Sequence, residues 1–147
     1  ARQRALEPSD DVVDAAAENN IVVAPGANAL LTVESPEIQA VIADSDVVLL
    51  QLEIPMATAI AAARVARSAG ATVIVNASPS GARPHDLLAL SELADVVVVN
   101  ETEAREWHWP VAHLVITRGR RGASWRPWAR QRSRSYARRA MPGRRWR

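Results

Sequence analysis

Four consecutive valines at residues 96–99 restrict the fold of this chain more than any other stretch. Valine is branched at Cβ and favours extended backbone, and a run without polar alternation predicts a strand buried on both faces of a parallel sheet. Asn-Glu-Thr-Glu follows, so we expect Asn100 at the carboxyl end of that strand and Glu101 and Glu103 in the next turn. Ligands of open α/β sheets bind outside such ends. Alternatively, Asn100 and Thr102 cap a following helix.

Apolar strands and helical segments alternate around this run. Residues 47–52 are a predicted buried strand and residues 71–75 a second predicted strand. The alanine-rich segment 56–69 and residues 84–93 are predicted helices. Because strands that alternate with helices form parallel sheets through right-handed crossovers, we predict an α/β fold with a parallel β-sheet and flanking helices. Glu53, Asn76 and Asn100, which come at the carboxyl ends of these strands, should then lie at the same edge of the sheet.

A fourth predicted strand, residues 111–117, runs into the sequence T-R-G-R-R-G. Thr117, Gly119 and Gly122 form a turn whose hydroxyl and amide groups could donate to anionic oxygen, although the motif taken alone favours an ordinary glycine turn. Upstream, residues 12–13 and 21–24 are two short predicted strands. Residues 32–43 are a predicted helix interrupted near Pro36.

The charge distribution divides the chain into two parts. The first 117 residues carry 6 arginines and all 16 acidic residues, whereas the last 30 carry 12 arginines and no acid. We therefore predict an unstructured start at residues 1–11, one α/β domain at residues 12–123 and a disordered arginine-rich tail at residues 124–147. The lack of cysteine excludes disulfides and favours an intracellular protein. No apolar run is long enough to span a membrane, so we expect a cytoplasmic location and no membrane association.

Five segments in register resemble the ribokinase-like (PfkB) family of carbohydrate kinases. They are A-P-G-A-N-A-L (24–30), L-L-Q-L-E-I-P (49–55), V-N-A-S-P (75–79), V-N-E-T-E-A (99–104) and V-I-T-R-G-R-R-G (115–122). The resemblance covers about residues 12–123. It implies the central part of a kinase that transfers the γ-phosphoryl group of ATP to the 5-hydroxyl of ribose, with Mg²⁺ as cofactor. It also implies a homodimer.

The resemblance implies a role for each matching residue. Glu53 corresponds to the carboxylate that hydrogen-bonds a sugar hydroxyl. Asn100 and Glu103 correspond to an N-x-x-E motif that helps to hold the phosphates and magnesium, with Asn100 implied as a nucleotide-binding residue and Glu103 as a metal-binding residue. The loop that lines the nucleotide site corresponds to Thr117, Arg118, Gly119, Arg120, Arg121 and Gly122.

Two elements expected of the family do not occur in the sequence. One is the glycine-rich sugar-binding segment with its β lid, expected before the matched region. The other is the G-A-G-D motif that supplies an anion hole and the general base, and Glu106 is the last acidic residue in the chain. We therefore expect no catalytic residue and no kinase activity in this chain alone, because removing a general base costs about 10²–10⁴-fold in rate.

The arginine-rich tail allows three interpretations. Arginines interleaved with Trp125, Trp128, Tyr136 and Trp146 could bind RNA or single-stranded DNA, or an anionic membrane surface. The composition, which has arginine but no lysine, is also typical of a GC-rich gene translated out of frame. We favour the out-of-frame interpretation over nucleic-acid binding.

Overall fold

A computed structural model describes residues 9–13, 19–23 and 26–127. Two short strands, β1 Ser9–Val13 and β2 Asn19–Val23, precede its main element, a five-stranded sheet. The strands of this sheet are β3 Val47–Gln51, β4 Thr72–Asn76, β5 Val96–Asn100, β6 His113–Thr117 and β7 Ala123–Pro127, and they lie side by side in that order. The first four are parallel and β7 runs antiparallel to β6. The predicted α/β class is thereby confirmed.

The helices begin and end at local sequence signals. Helix α1 is Pro36–Ala43 and α3 is Pro84–Leu93, and each begins at a proline, which has no amide hydrogen to lose there. Helix α2, Met56–Ala69, ends at Gly70, whose φ of 87° is the left-handed conformation that glycine adopts at helix ends. A single turn, α4, spans Glu103–Glu106. Within the described ranges, no helix is long and apolar enough to cross a bilayer.

The hydrophobic core lies on one face of the sheet. Helix α2 contacts β3, β4, α1 and α3, because successive right-handed crossovers between neighbouring strands place their helices on the same side. Most of the strand residues that point toward these helices are buried. The core contains Leu50, Ala59, Ala63, Val73, Val75, Leu90, Val97, Val99, Leu114 and Ile116.

Two predictions of strand burial are wrong. Strand β3, expected to be buried, is an edge strand of the sheet, and its Val47 and Leu49 side chains are 54% and 68% exposed. The valine run of β5 is central, yet only Val97 and Val99 are fully buried. The reason is shared: the helices α1–α4 cover only one face, so alternate residues of each strand stay partly open.

The ends of the predicted domain also differ from the structure. Residues Ser9–Val13 and Asn19–Val23 form an antiparallel pair, β1 and β2, so the first strand begins before the predicted boundary at residue 12. At the other end, β7 continues to Pro127, past the predicted limit at residue 123. Its residues are ordered by pairing with β6, where Trp125 lies opposite Val115. The rest of the predicted tail lies outside the described residues.

Candidate functional site

Asn100 and Thr117 are direct partners in the β5–β6 ladder. Each is the last residue of its strand, so both lie at the carboxyl end of the sheet. The Thr117 hydroxyl donates to the backbone oxygen of Val99 at 3.3 Å, which ties the two strand ends together. Because both residues are exposed, the pair is accessible from solvent. The structure thus brings together two predicted site residues that are 17 positions apart in the sequence.

Asn100 and Glu103 form a reciprocal pair at the start of α4. The Asn100 side-chain oxygen accepts from the backbone N–H groups of Thr102 at 2.9 Å and Glu103 at 2.8 Å. In return, the Asn100 N–H donates to Oε2 of Glu103 at 2.7 Å. This arrangement is a capping box, in which two side chains accept hydrogen bonds from backbone N–H groups that have no partner at the start of a helix. Asn100 therefore caps the helix, as one of the two interpretations of the sequence expected, whereas the Thr102 side chain makes no capping hydrogen bond.

A second hydrogen bond fixes the other oxygen of Glu103. The Ser78 hydroxyl donates to Oε1 at 2.6 Å, and the whole glutamate is only 8% exposed. The carboxylate is thus held from β5 and from the loop after β4 at the same time. Sequence analysis missed Ser78, because a serine in a loop 25 residues from its partner carries no local signal of the contact.

A cavity of about 210 Å³ opens beside Glu103. It lies between the loop after β4, the start of α3 and the segment around α4, and its other charged wall residue is Glu106. Trp107 and Trp109 also line it, with ring centroids 5.3 Å apart and nearly perpendicular. Trp107 is buried and donates from Nε1 to the Trp109 carbonyl at 2.8 Å. The two rings therefore form one side of this cavity.

The turn after β6 is built around two glycines. Gly119 has φ 53°, and Gly122 has φ 77° with ψ −140°, a region that side chains rarely allow. Inside the turn, the Arg118 N–H donates to the Gly122 carbonyl at 2.8 Å. The Arg121 N–H donates to the Arg118 carbonyl at 3.0 Å, which closes a compact loop directly after Thr117.

Glu101 pairs with two arginines of this turn. Its Oε2 accepts a hydrogen bond from Nη2 of Arg121, and its Oε1 lies 3.8 Å from Nε of Arg118. The carboxylate is partly exposed, and Arg120 is exposed as well. The positive charge of the predicted nucleotide loop is therefore partly balanced by an acid from the neighbouring strand end, which the sequence did not indicate.

Glu53 lies at the same end of the sheet but farther along it. It is exposed in the turn that follows β3, and β4 separates this strand from β5. Neighbouring strands are about 5 Å apart, so the axes of β3 and β5 are about 10 Å apart. The predicted site residues thus share one end of the sheet, with Glu53 at one side and the Asn100, Glu103 and Thr117 group at the other.

The described ranges contain no group of three or more histidine, aspartate or glutamate side chains placed to hold a metal ion. The groups that could contribute to a cation site are the carboxylates of the cavity, Glu103 and Glu106.

Comparison with protein families gives one match that covers most of the chain. The model described as "pfkB family carbohydrate kinase" matches residues 11–139. A ribokinase of Staphylococcus aureus is 39% identical over 93 residues, which are 63% of this chain and 30% of that protein. A ribokinase of Haemophilus influenzae is 40% identical over 88 residues, 59% of this chain and 28% of that protein.

Solved structures agree on the fold. A ribokinase from Giardia lamblia aligns with a TM-score of 0.70 and 21% identity over 86% of this chain and 48% of its own. A ribokinase from Arabidopsis thaliana, solved with ribose and ATP, aligns with a TM-score of 0.67 and 19% identity over 88% of this chain and 47% of its own. The chain spans less than a third of the length of the two curated ribokinases described above. Because the family model matches most of its residues, the chain belongs to the pfkB family of carbohydrate kinases.

Proposed function

We propose that this chain is the central part of a ribokinase-type sugar kinase and carries portions of its sugar and nucleotide sites. In the complete reaction, the ribose 5-hydroxyl oxygen forms a bond to the γ-phosphorus of ATP. The bond from that phosphorus to the bridging oxygen of ADP breaks, and a base accepts the hydroxyl proton. ATP and ribose are the proposed small-molecule partners, and the cytoplasm is the proposed location.

One observation carries the proposal. Asn100 and Thr117 end neighbouring parallel strands in register, with the buried Glu103 carboxylate anchored beside them. Phosphoryl transfer depends mainly on positioning and on neutralisation of charge, so a site needs rigid donors and a nearby carboxylate rather than a reactive side chain. The Glu103 carboxylate at the end of β5 is held rigidly by hydrogen bonds from Asn100 and Ser78, so it can serve as that nearby carboxylate.

The turn after Thr117 is suited to phosphate groups. Its glycines let the backbone approach a ligand closely, and the Thr117 hydroxyl and turn amides are potential donors to phosphate oxygen. We propose that the nucleotide lies over residues 117–122, and that Arg118 and Arg121 exchange their contact with Glu101 for contact with phosphate as it binds.

Magnesium fits the chemistry of the Glu103 region. Mg²⁺ keeps most of its waters and is commonly held by one or two carboxylates together with substrate phosphates. Both oxygens of Glu103 already accept one hydrogen bond each, which fixes the carboxylate, and we propose that Glu103 would help to hold the ion. When bound, the ion neutralises charge on the phosphates. Asn100 keeps Glu103 in place through its N–H group. We propose that Glu53, which follows β3 and lies two strands away from Asn100, accepts a hydrogen bond from a sugar hydroxyl.

We propose that the chain alone does not turn over substrate. Its sequence contains no G-A-G-D segment and no acidic residue after Glu106. Without a general base the hydroxyl proton has no acceptor, which costs about 10²–10⁴-fold, and the loss of an anion hole adds to this.

Amide NMR with added Mg·ATP tests the proposed site directly. Shift changes should concentrate at residues 100–103 and 117–122, and Thr117→Val should reduce them while Thr72→Val at the opposite end of the sheet leaves them unchanged. Changes spread over the whole sheet, or none at millimolar nucleotide, would contradict the proposal. In a parallel assay, ribose-dependent ADP formation that is abolished by Glu103→Ala would contradict the proposed lack of turnover.

The second candidate function is non-enzymatic nucleic-acid binding. It is favoured by the 12 arginines and complete absence of acid after residue 117. RNA affinity should then fall steeply with added salt and disappear when residues 128–147 are deleted. Affinity that survives this deletion would count against the tail as the binding element.

A further inference from the structure

The loop after β4 connects the two parts of the candidate site through one residue, Ser78. Its carbonyl accepts a hydrogen bond at 3.1 Å from the N–H of Leu52, the residue before Glu53. Its hydroxyl donates to Oε1 of Glu103 at 2.6 Å. Ser78 therefore contacts the backbone beside the proposed sugar carboxylate with its own backbone, and the proposed metal carboxylate with its side chain.

The backbone of this loop is held independently of the serine hydroxyl. The N–H of Ala77 donates to the Val98 carbonyl in β5 at 2.9 Å, and Ala77 is buried. Together with the Leu52 contact, this bond attaches the loop to β5 on one side and to the turn after β3 on the other. We therefore expect a change in the Ser78 side chain to leave the course of the loop intact and to remove only its contact with Glu103.

The Glu103 carboxylate depends on both of its hydrogen bonds to keep one orientation. A glutamate side chain has several rotatable bonds, and a single donor fixes one oxygen while the group can still rotate about it. The Asn100 N–H supplies the donor at Oε2, and Ser78 supplies the donor at Oε1. Carboxylates that hold metal ions are themselves held by hydrogen bonds, because a ligand that is already oriented loses less conformational freedom on binding.

No other protein group can replace the Ser78 hydroxyl. In the part of the chain that the structure describes, Ser78 and Asn100 are the only residues that donate to the Glu103 carboxylate. Because Glu103 is almost fully buried, bulk water also has little access to Oε1. Substitution of Ser78 by alanine therefore leaves a buried carboxylate oxygen without its donor.

We propose that Ser78 is a positioning residue that orients the Glu103 carboxylate for metal binding and fixes its place relative to the turn that carries Glu53. Ser78 acts through Glu103 and does not itself touch substrate. The inference rests on the proposed function, in which Glu103 helps to hold Mg²⁺ and residues 117–122 bind the phosphates. The Ser78 hydroxyl then contributes to the part of nucleotide binding that requires the metal, and not to the metal-free part.

ADP affinity with and without a divalent cation tests the inference. Mn²⁺ serves as the probe for the magnesium site, EDTA gives the metal-free value, and isothermal titration calorimetry measures both affinities of the full chain. We expect Mn²⁺ to raise the ADP affinity of the wild-type chain. Ser78→Ala should lower the affinity for Mn·ADP about tenfold and leave the metal-free affinity within about twofold of wild type. Ser78→Thr, which keeps the hydroxyl, should restore Mn·ADP binding.

Two further variants separate positioning from stability. Ser91→Ala is the matched control, because it removes a buried serine hydroxyl that donates to the Leu88 carbonyl within α3. It should leave both affinities unchanged. Ser78→Cys is the second variant in case Ser78→Ala lowers folding, which circular dichroism measures. The thiol is similar in size to the hydroxyl but is a weaker donor, so a smaller loss of Mn·ADP affinity is expected.

A measurement without ligand follows the carboxylate itself. The Asn100 amide proton donates to Oε2 of Glu103, so its NMR resonance reports where that oxygen lies. In Ser78→Ala this resonance should shift upfield, because a carboxylate that rotates makes a longer hydrogen bond on average. In Ser78→Thr it should keep the wild-type position.

The outcomes distinguish this inference from the proposed function. If the wild-type chain binds Mn·ADP more tightly than ADP, the inference alone is overturned by an unchanged Mn·ADP affinity in Ser78→Ala. It is also overturned by an equal loss with and without metal, because a general disturbance of the site lowers both affinities. If the wild-type chain binds no ADP, or binds it no better with Mn²⁺, the proposed function fails, and the inference that depends on it fails as well.

Discussion

The Ser78 hydroxyl donates a 2.6 Å hydrogen bond to the buried carboxylate of Glu103, across 25 residues of sequence. This contact joins the loop after β4 to the start of α4. The Asn100 N–H donates to the other oxygen, so the carboxylate is held between two strand ends. The position of the most buried acid in the candidate site is therefore set by tertiary structure.

Removal of the Ser78 hydroxyl should destabilise the fold. Ser78→Ala leaves one oxygen of a buried carboxylate without its donor, and hydrogen bonds to charged groups contribute about 1.5–3 kcal/mol. Because Ser78 itself is only partly buried, we expect a loss of about 1–2 kcal/mol in the free energy of unfolding, measured by urea titration. Ser80→Ala, an exposed change in the same loop, is the control and should be neutral. Equal stability of both variants would show that water replaces the serine.

Glu101 should influence the turn after β6 more than it influences stability. Glu101→Gln removes the charge that Arg118 and Arg121 face, but partly exposed ion pairs contribute about 0–1 kcal/mol, so we expect little change in unfolding. If the turn binds phosphate, the released guanidinium groups should raise the affinity for ADP several-fold at low salt. Isothermal titration calorimetry measures this, with Glu92→Gln on α3 as control. A lower affinity would mean that Glu101 positions the turn for the nucleotide.

Truncation of Leu90 should be severely destabilising. Its side chain is fully buried between α3 and the sheet, and Leu→Ala at such sites costs about 2–5 kcal/mol through lost burial and the cavity left behind. Leu88→Ala, two residues away on the exposed side of the same helix, changes helix propensity equally but should cost less than about 1 kcal/mol. Chemical denaturation of the two variants compares the costs, and similar losses would contradict the one-sided core.

Gly122 should tolerate substitution less well than Gly70. Both have positive φ, but Gly70 (φ 87°, ψ 10°) is near the left-handed helical region, whereas Gly122 (φ 77°, ψ −140°) is in a region almost restricted to glycine. An added Cβ meets no atom within 4 Å at either position, so the cost is conformational. We expect about 1 kcal/mol for Gly70→Ala and about 2–3 kcal/mol for Gly122→Ala. Thermal denaturation of both variants tests whether Gly122→Ala is the more destabilising change. A larger loss of stability for Gly70→Ala would contradict the prediction.

Local sequence signals were sufficient for most elements of the fold. Helices α2 and α3 have the predicted bounds, because the prolines before or at their starts and the glycine after α2 act within a few residues. The β-branched runs of β3, β4, β5 and β6 predicted strands for the same reason. The parallel direction of β3 to β6 followed from the alternation of strands and helices. Their order along the sheet was not predicted, because the same alternation is compatible with several strand orders.

Contacts between distant segments decided what the sequence did not reveal. Strand β7 has no strand pattern of its own and is ordered by its antiparallel pairing with β6. The Ser78–Glu103 and Glu101–Arg121 contacts join residues 25 and 20 positions apart, and neither follows from spacing. Apolar strand residues show that a face of the sheet must be covered. Only the three-dimensional arrangement shows which face the helices occupy, because that depends on the side of the sheet on which the chain passes from one strand to the next.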